Sequence, residues 1–207
     1  MTWGIVLQSI LKVANTSDSV LLMSRKNCHA PNVHSIVLSK SSDNRLTRVF
    51  LVMPDHTLWH NGNRFSAYSV GIHDHQYDLE ITSIFGSVTH MLYEQGINRF
   101  AEKLYRYQFK SGGCNGDPVV TPMGKELVSP TSVYLLSGNK FLTHDRLHTL
   151  SVPEGETAAW MVTEGERRKD TTTLFTNTEL VKTAGLYQPF ESVDEIVDLV
   201  KSVKYPS

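Results

Sequence analysis

The 207-residue chain (23.3 kDa) is 40% hydrophobic and 20% charged. At roughly 100–200 residues per domain, that length allows one large domain or a tight pair, and one β-rich domain over 1–207 is the simpler expectation. Twenty Lys and Arg against twenty-one Asp and Glu leave a formal charge of -1, which argues against nucleic-acid or anionic-membrane partners. No apolar run approaches the roughly 20 residues that cross a bilayer. The N-terminus lacks a basic region followed by a small-residue cleavage site, so an unprocessed, cytoplasmic protein is expected. Cys28 and Cys114 are the only cysteines; they match no metal spacing and are expected to be reduced.

Along the chain, Trp3, Leu7, Ile10, Leu11 and Ala14 share one face at helical spacing and predict an amphipathic helix over about 2–15. Short runs rich in Val, Ile, Leu and aromatics then predict strands at Ser19–Met23, His34–Ser39, Arg48–Met53, Phe65–Ile72, Ile81–Phe85 and Ser87–Tyr93. Residues 97–109 are ambiguous, since Phe100, Leu104 and Tyr107 fit a helix face while Tyr105, Tyr107 and Phe109 suit a strand. From Ser111 to Pro130 seven Gly and Pro residues predict a long loop, functional or mobile. Strands resume at Val133–Leu136, Leu147–Val152, Ala158–Thr163 and Thr171–Phe175. Finally Val193, Ile196, Val197, Val200 and Val203 predict a helix over about 193–204 behind Ser192 and Glu195, which have the spacing of a capping box.

Turn signals separate these strands: Asn61-Gly62-Asn63, Gly86, Gln95-Gly96, Ser137-Gly138-Asn139 and Pro153-Glu154-Gly155. About ten short strands punctuated in this way predict a mainly β sandwich or barrel spanning about 19–176 rather than a parallel α/β sheet.

The segment Gly71-Ile72-His73-Asp74-His75-Gln76-Tyr77-Asp78-Leu79-Glu80, continuing to Gly86, carries the chemistry. Histidines two apart on a strand point to the same side of a sheet, so one strand can present two imidazoles to one ion. Imidazole suits Fe, Zn, Ni, Cu and Mn, and such sites can keep coordination positions open. With nine histidines in the chain, the pair alone is a weak signal.

The wider layout is His-x-His, a carboxylate within a few residues, and a β run closed by Gly86. It resembles the first motif of the cupin superfamily, and more closely the cysteine-dioxygenase-like (RmlC-like) cupins. The resemblance spans about residues 45–176 and implies an antiparallel double-stranded β-helix, or jelly-roll barrel, holding a metal on two His and a Glu. A second motif should supply a third His. Ser137-Gly138-Asn139 followed by His148-Thr149-Leu150 fits that role, so the resemblance implies His148 as third ligand. Pro153 to Thr157 and Trp160-Met161-Val162 resemble the hairpin that closes such barrels.

Two departures from the pattern bear on the ligand set. The cupin Glu lies seven residues before the closing Gly, and counting back from Gly86 reaches Leu79, flanked by Asp78 and Glu80. A regular strand would turn both carboxylates away and leave a three-histidine site. A bulge after His75 would instead swing Glu80 inward. The second motif has Thr143 and Asp145 where Pro and Gly are usual, a turn Asp can sustain.

His144 is a competing ligand, expected before the turn and facing solvent. His29, His34, His56, His60 and His90 are expected to be surface or packing residues. Tyr77, Tyr93 and Trp160 are read as barrel packing, though an inward Tyr can donate a proton. Arg167-Arg168-Lys169 beside Glu164 and Glu166 reads as a solvated hairpin tip.

Rival chemistries lack their residues. A metallo-hydrolase H-x-H-x-D-H needs Asp where Tyr77 stands, and there is no G-x-S-x-G, no Gly-rich phosphate loop and no Cys beside a His. The expectation is a cupin-type metal-binding protein acting on a small polar substrate in the barrel mouth. The metal would be Fe(II) by resemblance, or Mn, Ni or Zn, with Asp78, Glu80 or Tyr77 as acid or base. The alternative is a non-catalytic cupin that captures a small ligand. A homodimer through edge strands is compatible with either.

Overall fold

The computed structural model describes residues 2–28, 30–56, 60–61, 64–65, 71–96, 99–110, 119–177, 179 and 187–203. Helices are confined to the two ends of the described chain: α1 (Trp3–Thr16) with the one-turn α2 (Asp18–Leu21) after it, and α3 (Val193–Ser202). Between them run β1 (Arg25–Lys26), β2 (Val33–Lys40), β3 (Leu46–Val52), β4 (His60–Asn61), β5 (Arg64–Phe65), β6 (Ile72–His73), β7 (Tyr77–Phe85), β8 (Thr89–Gln95), β9 (Glu102–Lys110), β10 (Val119–Leu135), β11 (Asn139–Leu142), β12 (Leu147–Ser151), β13 (Ala158–Arg167), β14 (Thr171–Thr176) and β15 (Gln188–Pro189).

One sheet has the order β11-β7-β13-β3-β2-β1-β15, and a second, β10-β8-β12-β6-β14-β9, closes on itself. Every pairing is antiparallel. This is the mainly β jelly-roll architecture with terminal helices that the cupin resemblance implies.

The alternation of strand residues sorts the core into layers. Phe50, Val52, Leu79, Ile81, Trp160 and Val162 of the first sheet pack with Val88, Leu136 and Val152, and the Phe50 and Trp160 rings stack 5.4 Å apart. The opposite face of that sheet, with Ile36, Val49, Leu51 and Phe85, is covered by Trp3, Val6 and Ile10 of α1 and Ile196 and Val200 of α3. Met91, Tyr93, Leu104, Leu147 and Phe175 form a third cluster on the strands of the closed sheet.

At α3 the Ser192 side chain accepts a hydrogen bond from the Glu195 N–H at 3.2 Å, as the capping spacing predicts. Glu195 also pairs with Lys26 at 2.6 Å, tying the cap to β1. Ser192→Ala is expected to lower stability by about 1 kcal/mol in urea unfolding, and an unchanged midpoint would refute that role for the cap.

Two expectations are corrected. Ser19–Met23 is not a strand: α2 occupies Asp18–Leu21, and the Val20 and Leu21 N–H groups bond back to Ser17 O. A five-residue apolar run carries too little period to separate strand from helix turn. Residues 119–130, expected as loop, belong to the long β10, while 111–118 lie outside the described residues. Pro122 and Pro130 are accommodated because the β10 register slips between Pro122 and Gly124 and again between Pro130 and Ser132, and bulges are where a strand tolerates proline. The ambiguous 97–109 segment is strand β9 from Glu102. Within the expected Phe65–Ile72 strand, 66–70 lie outside the described residues, as do Gly62-Asn63, His29, Cys114 and the side chain of His60.

Candidate metal centre

Pairing in the closed sheet places His73 of β6 directly opposite His148 of β12. On β6, Ile72 joins the third core cluster, so His73 faces the other way. On β12 the same alternation separates Leu147, also in that cluster, from His148. Both imidazoles therefore stand on the face where Leu92 and Leu150 pack against the core between the sheets.

His75 lies just beyond β6, in chain held extended by Asp74 N–H to Thr173 O at 3.1 Å and His75 N–H to His144 O at 3.0 Å. Its ring reaches the other two. The centroids of His73, His75 and His148 lie 4.8–4.9 Å apart, and each residue offers a ring nitrogen within 4.8 Å of the others. Among the described residues this is the group of His, Cys, Asp and Glu side chains suited to an ion.

Hydrogen bonds orient two of the rings. His73 Nδ1 lies 2.8 Å from Gly71 O, so it carries the proton and Nε2 keeps its lone pair. A Cβ at Gly71 would come within 2.5 Å of the Phe175 carbonyl oxygen, so glycine permits the close approach of β14 that frames this turn. His148 Nδ1 lies 2.8 Å from His90 Nε2, and His90 Nδ1 lies 2.9 Å from the Tyr134 hydroxyl. The Nε2 atoms of His75 and His148 face each other at 2.6 Å.

Burial lowers the pKa of His73, with the Gly71 carbonyl opposing, and takes that of His90 to about 4, so both are neutral at pH 7. Three convergent imidazoles, two of them bonded through their outer nitrogens, are a donor set that suits a borderline divalent cation. The residues present therefore fit a metal.

The carboxylates nominated by sequence stand elsewhere. Glu80 is exposed and accepts a hydrogen bond from Asn139 Nδ2. It remains outside the histidine group because the chain does not bulge after His75. Leu79 and Ile81 both point into the core, and β7 pairs in unbroken register with β11 from Leu79 to Thr82. The bulge on β7 falls instead at Ile84, where Phe85 and Ser83 face the consecutive Ala159 and Trp160. Gly86 follows at φ +78°, and a Cβ there would meet Thr157 O at 2.5 Å.

Asp78 is buried, but its carboxylate is a structural clamp. It accepts from the His144 backbone N–H (2.9 Å), lies 3.1 Å from His144 Nδ1 and pairs with Arg168 Nε (3.0 Å). These hydrogen bonds, the His144 N–H first, hold its pKa below the usual carboxylate range. Tyr77 is half-buried and packs against the core between the sheets.

Several expectations change here. His144 is partly exposed but not free, since Asp78 holds both its backbone and its ring. His90 is buried, yet its role is not packing alone, because it bonds a member of the histidine group. The 165–170 hairpin tip is largely exposed, as expected, but it is also tied down. Lys169 pairs with Asp74 at 2.6 Å, Arg168 with Asp78, and the Arg168 N–H donates to Gln76 O at 2.8 Å. The tip thereby straps down the segment that carries His73 and His75. No spacing rule could reveal contacts that span 90 residues. For His90 and Tyr134 the available signal is strand alternation, which turns His90 with Leu92 and opposite to Met91 and Tyr93.

No protein-family model and no curated protein matches the chain. Several solved structures are similar. Hydroxypropylphosphonic acid epoxidase from S. wedmorenis aligns over 64% of this chain and 50% of its own, at 10% identity and a TM-score of 0.35. The chain thus spans about half the length of that enzyme. The polyketide cyclase RemF from Streptomyces resistomycificus aligns over 75% and 78%, at 16% identity and a TM-score of 0.35. A cupin-2 domain from Rhodospirillum rubrum aligns over 77% and 72%, at 15% identity and a TM-score of 0.31.

Proposed function

We propose that the protein is a cupin-type metalloprotein that binds one divalent cation, Fe(II) in its working form, on His73, His75 and His148, and acts on a small polar substrate. The observation that carries this reading is the convergence of three imidazoles, two of them pinned through their outer nitrogens, with no carboxylate among them. When bound, the metal would supply Lewis-acid or redox chemistry at whichever positions the three rings leave open.

The chain's own residues would do the rest. Gly71 and His90 hold ring orientation, while Leu92 and Leu150 border the site with apolar surface. The strap of Asp74–Lys169 and Asp78–Arg168 keeps the His73–His75 segment in place.

One observation favours the second reading, a cupin that captures a ligand without turning it over. Asp78 and Glu80 are both engaged in structural contacts, and neither is presented to the histidine group as acid or base. The test begins with metal analysis of protein purified without a chelator or histidine tag, followed by titration with Fe(II), Mn, Ni and Zn. One equivalent bound is the expected result, and failure to take up any of the four would overturn the proposal. Turnover of candidate substrates by the loaded protein then separates enzyme from capture protein.

A further inference from the structure

Four adjacent strands of the closed sheet carry a row of polar side chains across one face. Tyr134 of β10 lies directly opposite His90 of β8, His148 of β12 sits diagonally beside His90, and His73 of β6 is opposite His148. The contacts run in sequence. Tyr134 Oη is 2.9 Å from His90 Nδ1, and His90 Nε2 is 2.8 Å from His148 Nδ1. His90 is 1% exposed, whereas Tyr134 is half-buried. An imidazole and a phenol could have been replaced in such a row by apolar residues like their neighbours Leu92 and Leu150. Burying a polar ring is unfavourable unless both of its nitrogens are satisfied, and here both are.

The proton directions follow from His148. If its Nε2 is to offer a lone pair, Nδ1 must carry the proton and donate to His90 Nε2. His90 must then be protonated on Nδ1 and donate to the Tyr134 oxygen, which leaves the phenolic O–H pointing onward. We propose that His90, backed by Tyr134, is a positioning residue that locks His148 in the tautomer and ring orientation that expose Nε2. The inference rests on the metal-site reading above. It differs for the two sheet ligands: a backbone carbonyl fixes His73, whereas a replaceable side chain fixes His148.

The experiment uses the full chain and Co(II), whose visible spectrum and hyperfine-shifted proton signals report on ligand histidines. His90→Leu keeps the bulk and removes the acceptor. His90→Gln can return an acceptor oxygen near the position of Nε2, and Tyr134→Phe removes only the outer bond. Loss of an outer-shell partner weakens metal binding by about 10–100-fold, and that is the drop expected for His90→Leu. Its visible spectrum should also shift, and exchange of the His148 Nδ1 proton with solvent should accelerate. His90→Gln should recover most of the affinity, and Tyr134→Phe should lose up to about tenfold.

Wild-type affinity, spectrum and proton exchange in His90→Leu would overturn the inference while leaving the metal site standing. Equal defects in the Gln and Leu variants would also overturn it, since shape and not the acceptor would then matter. Wild-type protein that binds no Co(II) would bring down both readings. Should His90→Leu fail to fold, by far-UV circular dichroism, Tyr134→Phe decides: reduced affinity supports the chain and unchanged affinity refutes it.

Discussion

Alanine at His73, His75 or His148 is expected to abolish stoichiometric metal binding, while Glu80→Ala and His144→Ala leave it intact. With three rings and no carboxylate in the group, each ligand removed is a third of the donor set. The loss should exceed the about 10–100-fold that follows removal of an outer partner. Glu80 is exposed, and as a surface substitution its change should stay within ~0.5 kcal/mol, or about twofold. His144 is a different control. Its ring belongs to the Asp78 contact, so its loss should touch stability before affinity. Isothermal titration with Co(II) or Zn measures all five variants. A large loss in Glu80→Ala would show that β7 rearranges on metal binding and would convert the site to three histidines and a carboxylate.

Binding also requires unprotonated rings. Burial depresses the pKa of His73, so this ligand resists acid longer than a solvent-exposed histidine would. Affinity should therefore be flat through neutral pH and fall once the solution passes below the ordinary histidine range, near 6.5.

Some of this was legible in sequence because local physics decided it. Trp3 to Ala14 and Val193 to Val203 carry enough helical period to fix both end helices, and Ser192 with Glu195 marks where the second begins. The register count from Gly86 to Leu79 left two outcomes open, a regular strand or a bulge after His75. The strand is regular through Glu80, so Leu79 takes the inward position and the carboxylates on either side of it turn elsewhere.

What sequence could not show depends on partners far along the chain. Pro122 and Pro130 read as loop until the register slips of β10 are known. Arg168 and Lys169 read as a wet turn until β13 and β14 bring them onto Asp78 and Asp74. His90 read as filler because β8 meets β12 only in the folded sheet, 58 residues apart at this contact.

Acid should destabilise the metal-free protein well before its carboxylates titrate, and His34 should be a principal cause. This residue of β2 is 7% exposed beside the Phe190 ring, and its Nδ1 is buried without a hydrogen-bond partner among the described residues. Burial, reinforced by the Lys26 charge and opposed by Glu195, lowers its pKa from 6.5 to about 4. Between those values the unfolded chain holds a proton that the folded protein refuses, so stability falls as pH drops. The contribution is complete above pH 6.5, declines through the window down to about 4, and is gone below it, where both states are protonated.

At about 1.4 kcal/mol per pH unit the total is about 3 kcal/mol. That is a large fraction of the roughly 5–15 kcal/mol that stabilises a typical domain. His34→Phe keeps a ring against Phe190 and removes both the titration and the orphaned nitrogen. Urea unfolding between pH 4 and 8 should then show a slope shallower by up to about 1.4 kcal/mol per pH unit in this window. Stability at pH 8 should not fall, because an unsatisfied buried polar atom costs about 1–3 kcal/mol. Identical pH dependence in wild type and variant would show that His34 takes up its proton in the folded state, through water that reaches the space between β2 and Phe190.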